Sequence, residues 1–289
     1  MSQAKTYRAT AYIALIKPGI VMGNAMTALA GFALGAQNHW DLKALFSTIF
    51  GLCLVMSSAC VFNNIIDRIA DSKMQRTKNR PLATGAISTV RAQIYGSCLG
   101  VLGICQLAIG SYPLAAACAA TGFAIYVALY SLIKYKSHYS TLIGSVAGAI
   151  PPLVGYLGAT GVLDAGAYIL FVIVALWQMP HFFAIAIYRL HEYAAASIPL
   201  LPLKRGLFAT KLHMLFYTIV FVLAESLLYF FGYTTLTYLY IVSILGCVWL
   251  GICITGFLCK NETAWARKMF IFSLIVITSL CTIIPFTTK

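Results

Sequence analysis

Long apolar runs separated by short polar breaks set the pattern of this chain. The stretches 44–62, 114–133 and 234–259 contain no charged residue at all. A run of about 20 apolar residues crosses the hydrocarbon of a bilayer as a helix, which satisfies its own backbone hydrogen bonds where water cannot. About nine such runs are predicted, at 10–36, 43–66, 92–111, 114–133, 140–160, 166–189, 211–232, 234–259 and 268–286. The expected class is therefore all-α: a polytopic bundle of about nine transmembrane helices in one domain, 1–289. Outer connections are short, whereas two inner loops, about 67–91 and 189–211, are long.

Composition and charge sharpen this picture. The chain is 61% hydrophobic and 9% charged, with mean hydropathy +0.88. Soluble domains carry charge at about a quarter of their positions, so lipid is the solvent for most of this surface. With the N-terminus inside, all but Lys43 and Lys289 of the 20 lysines and arginines fall on the cytoplasmic side, as the positive-inside rule requires. The formal charge of +13 is thus topogenic. No basic-aromatic module accompanies it, so nucleic acid is not an expected partner. The nine cysteines form no Cys-x-x-Cys pair, which excludes a zinc knuckle and a c-type haem attachment. No cleavable leader is expected, because the first run is long and is broken by Lys17-Pro18.

Two polar interruptions carry the chemistry, and both flow into the long inner loops. In the first, Asn63, Asp67 and Asp71 stand at i, i+4 and i+8, which places all three on one helix face. Together with Asn64 they form a hard-oxygen donor set suited to Mg²⁺. Arg76, Lys78 and Arg80 follow, and guanidinium forks match phosphate oxygens. Metal ligands beside a phosphate clamp imply a diphosphate substrate at the membrane surface. The second interruption is Trp177-Gln178-Met179-Pro180-His181, where Pro180 is expected to break the helix beside a cavity. Gln178 and His181 then either ligate a haem iron or hold a polar substrate edge, or they form a hydrogen-bonded kink. Arg189 and Glu192 follow at the inner end, placed to meet phosphate and to complete a second metal position. Glu225 lies alone within the seventh run and needs a partner or a proton. Gly144, Gly148 and Gly155 with Pro151-Pro152 predict a fifth helix that packs closely and bends.

These residues carry a resemblance. The stretch 63–71 resembles the aspartate-rich motif of the UbiA superfamily of intramembrane prenyltransferases. Three blocks are similar to its haem-farnesylating branch: 60–80, 177–181 and Ile198-Pro199-Leu200-Leu201-Pro202. The resemblance implies a nine-helix bundle with its active site at the cytoplasmic face of a bacterial inner membrane. It also implies transfer of farnesyl from farnesyl diphosphate to a vinyl group of haem b, with water addition. Carried over, Asn63, Asn64, Asp67, Asp71 and Glu192 bind Mg²⁺; Asn63, Asp67 and Asp71 are catalytic. Arg76, Lys78 and Arg80 clamp diphosphate, joined by Arg189 from its place at the inner helix end, and His181 with Gln178 lies in the block that sets the haem-farnesylating branch apart and is expected to meet haem. Asn64 stands where the superfamily usually has Asp, and Ala196 where a second acid would follow Glu192. A downstream haem-modifying enzyme or terminal oxidase assembly is the candidate docking partner. The alternatives are prenylation of an aromatic quinone precursor and a cation-coupled transporter.

Overall fold

The computed structural model describes residues 10–289; Lys5 and Arg8, counted above among the inner-side cations, lie outside them. Within the described residues nine helices are long and apolar enough to cross a membrane. They are α1 (Pro18–Ala36), α2 (Leu42–Lys73), α3 (Thr89–Gly110), α4 (Pro113–Ile133), α5 (Ser140–Thr160), α6 (Ala165–Tyr188), α7 (Leu201–Phe230), α8 (Leu236–Thr255) and α9 (Glu262–Thr287). A short helix, Leu190–Ala195, lies between α6 and α7. The single β-bridge among the described residues, Thr234 with Thr288, ties the α7–α8 turn to the end of α9.

Local chemistry sets several helix ends. The Asp41 carboxylate accepts from the amides of Lys43 and Ala44 at the start of α2. Asp164 does the same for Ala167 at the start of α6. Such caps satisfy donors that the helix leaves orphaned. Pro202 enters α7 in its first turn, where a missing N–H costs nothing.

Both long inner loops are shorter than the apolar runs predict. α2 outlasts its apolar stretch and stays helical to Lys73, so Asp67 and Asp71 stand on a helix rather than in a 67–91 loop. The polar stripe finds polar partners in the break before α1, the turn after α4 and the loop after α2 itself, which removes the reason to unwind. The expected 189–211 loop is likewise mostly helical, because α7 begins at Leu201 and is interrupted only at Gly206, whose φ of 81° is left-handed. Pro180 does not end α6, which continues to Tyr188; the ring removes one ladder hydrogen bond without stopping the helix. The fifth helix does bend as expected, with segments Ser140–Gly148 and Ile150–Thr160 meeting at Ala149.

α1 to α5 pack against one another, as do α6 to α9. The two groups meet where α5 and α1 touch α6 and where α1 touches α9. The closest approach joins α1 to α5. A Cβ on Gly155 would lie 1.9 Å from the Ala28 carbonyl oxygen, and one on Gly31 would lie 2.0 Å from that of Pro152. Only glycine lets two backbones come so near in lipid, where van der Waals contact drives helix association.

Candidate active site

Two cavities lie between the helix groups. One, of about 270 Å³, is a polar mouth at the inner ends of α2 and α4. The other, of about 690 Å³, is an apolar chamber reaching toward mid-membrane. Ile20, Tyr126, Tyr130 and Phe182 line both, so these four side chains form the boundary.

The mouth is built on α2. Asn63, Asp67 and Asp71 all line it, and the Asp71 side chain is only 3% exposed. Each is met by a cation. Lys17 Nζ donates to Asn63 Oδ1 at 2.7 Å. Lys134 Nζ donates to Asp67 Oδ2 at 2.6 Å, and the Tyr135 hydroxyl donates to Asp67 Oδ1 at 2.7 Å. Arg80 Nη1 donates to both Asp71 carboxylate oxygens at 2.9 Å. Arg80 reaches back because the chain turns tightly after α2: the amides of Thr77 and Lys78 donate to the Met74 carbonyl, and that of Arg80 to the Thr77 carbonyl. Burial pushes the Lys17 ammonium down to about 8, with Arg80 adding to the effect. Desolvation, then the Asp67 charge, raises the Tyr135 hydroxyl.

Lys17 is placed by a break. It has φ 52°, left-handed, immediately before Pro18, which holds the helical segment 10–16 at an angle to α1. Asn64 fastens that segment, its side-chain amide donating to the Leu15 carbonyl at 2.8 Å. α4 contributes through an irregularity of its own. Its Ile125–Tyr130 turn is π-helical, a form frequent at functional sites. Ser131 Oγ donates to the Tyr126 carbonyl there and accepts from the Asn63 amide at 3.3 Å. The Tyr126 and Tyr130 rings stack with centroids 5.4 Å apart.

Several sequence-predicted residues stand off the lining. Asn64 is turned to Leu15 instead of the mouth. Lys78 is exposed and contributes no lining. Glu192 lies behind the mouth: its Oε1 accepts from Arg189 Nη1 at 2.8 Å and its Oε2 is 3.8 Å from Arg76 Nε. Arg76 lines the mouth, whereas Arg189, held by Glu192 and lying over the Tyr188 ring, does not. Glu225 borders neither cavity; its Oε1 is buried without a partner among the described residues, in the space left by Gly246. Conversely, Lys17, Lys134, Tyr135, Tyr126 and Tyr130 entered the sequence reading, where at all, only as topogenic cations or as part of an apolar run. The one signal that could have found Tyr126, Tyr130 and Lys134 is their i, i+4, i+8 spacing, the same spacing that marks the acids.

In the chamber, Gln178 and His181 both line the wall. The Gln178 amide donates to the carbonyls of Ser145 and Val174 at 3.2 Å. Gly148 makes room for it, since a Cβ there would lie 2.0 Å from Gln178 Oε1. His181 stacks on Trp177 with centroids 4.7 Å apart, and its Nδ1 lies 2.7 Å from Ser273 Oγ.

No group of three or more His, Cys, Asp or Glu side chains converges among the described residues. The oxygen donors of the mouth nevertheless suit Mg²⁺, which takes one or two carboxylates and draws its other ligands from water and phosphate. A site of this kind is completed by an anionic substrate.

The chain matches the model of the UbiA prenyltransferase family over residues 24–275. It is 47% identical to a protoheme IX farnesyltransferase of Protochlamydia amoebophila, over 95% of this chain and 97% of that one. It is 46% identical to protoheme IX farnesyltransferase 2 of Pseudomonas fluorescens, over 93% and 92%. In fold it is similar to a structure described as digeranylgeranylglyceryl phosphate synthase, with TM-score 0.81, 18% identity and coverage of 97% and 98%. It is also similar to a UbiA homologue from Archaeoglobus fulgidus bound to GPP and Mg²⁺, with TM-score 0.69, 16% identity and coverage of 96% and 99%.

Proposed function

Since the chain belongs to the UbiA prenyltransferase family, we propose that it transfers the farnesyl group of farnesyl diphosphate to a vinyl group of haem b, giving haem O and diphosphate. The observation that carries this reading is the pairing of a charged mouth with a dry chamber across the Tyr126–Tyr130 boundary. An allylic diphosphate needs both: cations for its head and an apolar, water-poor space for its tail and for the acceptor. The relatives named protoheme IX farnesyltransferase support haem as that acceptor.

Asn63, Asp67 and Asp71 would hold Mg²⁺, which would supply Lewis-acid neutralisation of the departing diphosphate. Arg76 and Arg80 bind diphosphate oxygens, and Lys17 and Lys134 add charge from the other side of the mouth. Glu192 serves Arg76 and Arg189 as a counter-ion. Asn64 and Lys78, off the lining, hold the N-terminal segment and the surface charge. As the C1–O bond breaks, its electron pair leaves with diphosphate. The allylic cation then faces the Tyr126 and Tyr130 rings, whose π-faces attract positive charge. The chamber excludes bulk water until the haem vinyl has donated its electrons to C1. One water then adds to the new cation and loses a proton. No strong enzymatic base is needed.

The site faces the cytoplasm in a bacterial inner membrane, with the N-terminus inside; the distribution of Lys and Arg supports that orientation. The deciding experiment offers the purified protein farnesyl diphosphate and Mg²⁺ with either haem b or 4-hydroxybenzoate and follows product mass. A farnesylated, hydrated haem supports the reading; a prenylated phenol with no haem product overturns it.

A further inference from the structure

His181 sits in the apolar chamber with one ring nitrogen committed and one free. Ser273 Oγ donates its single hydrogen to the Phe270 carbonyl at 2.6 Å. Toward His181 it therefore acts as acceptor, and the 2.7 Å contact is an Nδ1–H donating to Oγ. That fixes the neutral tautomer whose lone pair is on Nε2. Nε2 has no protein partner among the described residues, and His181 lines the chamber, so that nitrogen is open to it.

The ring is also held rigidly. Trp177 stacks on it, and Phe270 and Phe182 approach with centroids at 5.1 and 5.5 Å. Trp177 is itself anchored by Nε1 donating to the Ser273 carbonyl at 2.8 Å. A single residue of α9 thus sets both stacked rings of α6. A charged propionate is a poor partner for a bare lone pair in an apolar wall, whereas a metal centre is a good one: neutral imidazole suits iron, and ligating histidines characteristically donate their other N–H to a fixed acceptor. Met26, Met56 and Cys60 also line the chamber, but none has a hydrogen bond that fixes its sulfur.

We propose that His181 Nε2 is the axial ligand of the iron of the haem acceptor, and that Ser273 is the positioning residue that aims it. This rests on the haem-farnesylating reading above. Ligation at the iron anchors the porphyrin by its centre and leaves the vinyl edge free to meet the farnesyl carbon at the Tyr126–Tyr130 boundary. Phe182, adjacent to His181, belongs to that boundary.

The test titrates haem b into the purified, membrane-reconstituted protein and reads visible absorption and, for the ferrous form, the resonance Raman iron–histidine stretch. Wild type is expected to show that stretch. His181→Ala loses it, with haem affinity reduced at least about tenfold, and added imidazole restores it. His181→Met changes the spectrum to that of a thioether ligand. Ser273→Ala keeps ligation but shifts the stretch and weakens haem binding about tenfold, while Ser273→Thr returns both toward wild type. Mg²⁺-dependent binding of inorganic diphosphate at the mouth, which neither His181 nor Ser273 lines, is unchanged in all four variants and reports that the fold is intact; should His181→Ala fail to fold, His181→Met and the Ser273 pair carry the test. A haem spectrum identical in wild type and the His181 variants overturns the ligand assignment and leaves haem as acceptor. Wild type that binds no haem yet prenylates 4-hydroxybenzoate overturns the acceptor reading itself.

Discussion

The mouth and the chamber solve opposite problems a few side chains apart. In the mouth every candidate ligand is matched by a cation: Asn63 by Lys17, Asp67 by Lys134, Asp71 by Arg80. In the chamber the polar groups are few, and Trp177, Gln178 and His181 are each tied to a backbone carbonyl or a hydroxyl. The mouth stores charge that a substrate can redistribute. The chamber offers shape, dryness and one free nitrogen. Breaking a buried ion pair leaves an uncompensated charge, whereas disturbing the apolar wall of the chamber costs packing. Ionisation and acceptor choice should therefore be separable by mutation.

The sharpest way to break the comparison is Asp71→Asn. It should lower kcat for haem farnesylation by about 10²–10³-fold, the scale of removing one group that stabilises developing charge, while haem binding stays as in wild type. Single-turnover product mass and a haem titration read the two halves, and unchanged turnover would sink the metal assignment. Next in size is the boundary. Tyr130→Leu removes a π-face and should slow turnover by roughly tenfold, on the order of a buried cation–π contact, whereas Tyr130→Phe should keep most of the rate. Equal losses in the two variants would point to the hydroxyl instead. Within the chamber, Gly148→Ala drives a methyl into Gln178 Oε1. It should cost about 1–3 kcal/mol of stability by overpacking, read as a lower melting temperature, with Mg²⁺-dependent diphosphate binding preserved. The smallest effect is expected from Lys78→Ala. Lys78 is exposed and off the lining, so stability should move within about 0.5 kcal/mol and the KM for farnesyl diphosphate within measurement error; Arg80→Ala is the contrasting control, with a clearly raised KM.

The acid stripe was legible because its geometry is local. Three residues four apart on one helix define a face whatever the rest of the chain does. The spans were legible because lipid imposes one length and one composition. What sequence could not supply was partnership at a distance. Lys134 lies 67 positions from Asp67, and Ser273 lies 92 from His181. Lys17 and Lys134 were hidden by a second cause: topology alone predicts cations on the inner side, so two that face the site look like any others. Asn64 misled for the opposite reason. Its neighbours suggest a ligand, but a helix turns adjacent residues about 100° apart, and that rotation delivers its amide to Leu15. The polarity of 67–73 and 201–211 suggested loops because polar residues usually mark the end of a span. Here both helices continue past the apolar zone: α2 carries Asp67 and Asp71 to the edge of the mouth, while α7 carries Lys211 to Glu262.

The crossing at Gly31 and Gly155 has a consequence for traffic. With main chains in contact on both helices, α1 and α5 behave as a welded jamb that can neither slide nor part without losing its tightest contact. Any long apolar chain entering sideways from a bilayer must pass some other post of the doorframe, and a methyl wedged into that weld would push the post that carries Ile20 off its partner and hang the door crooked.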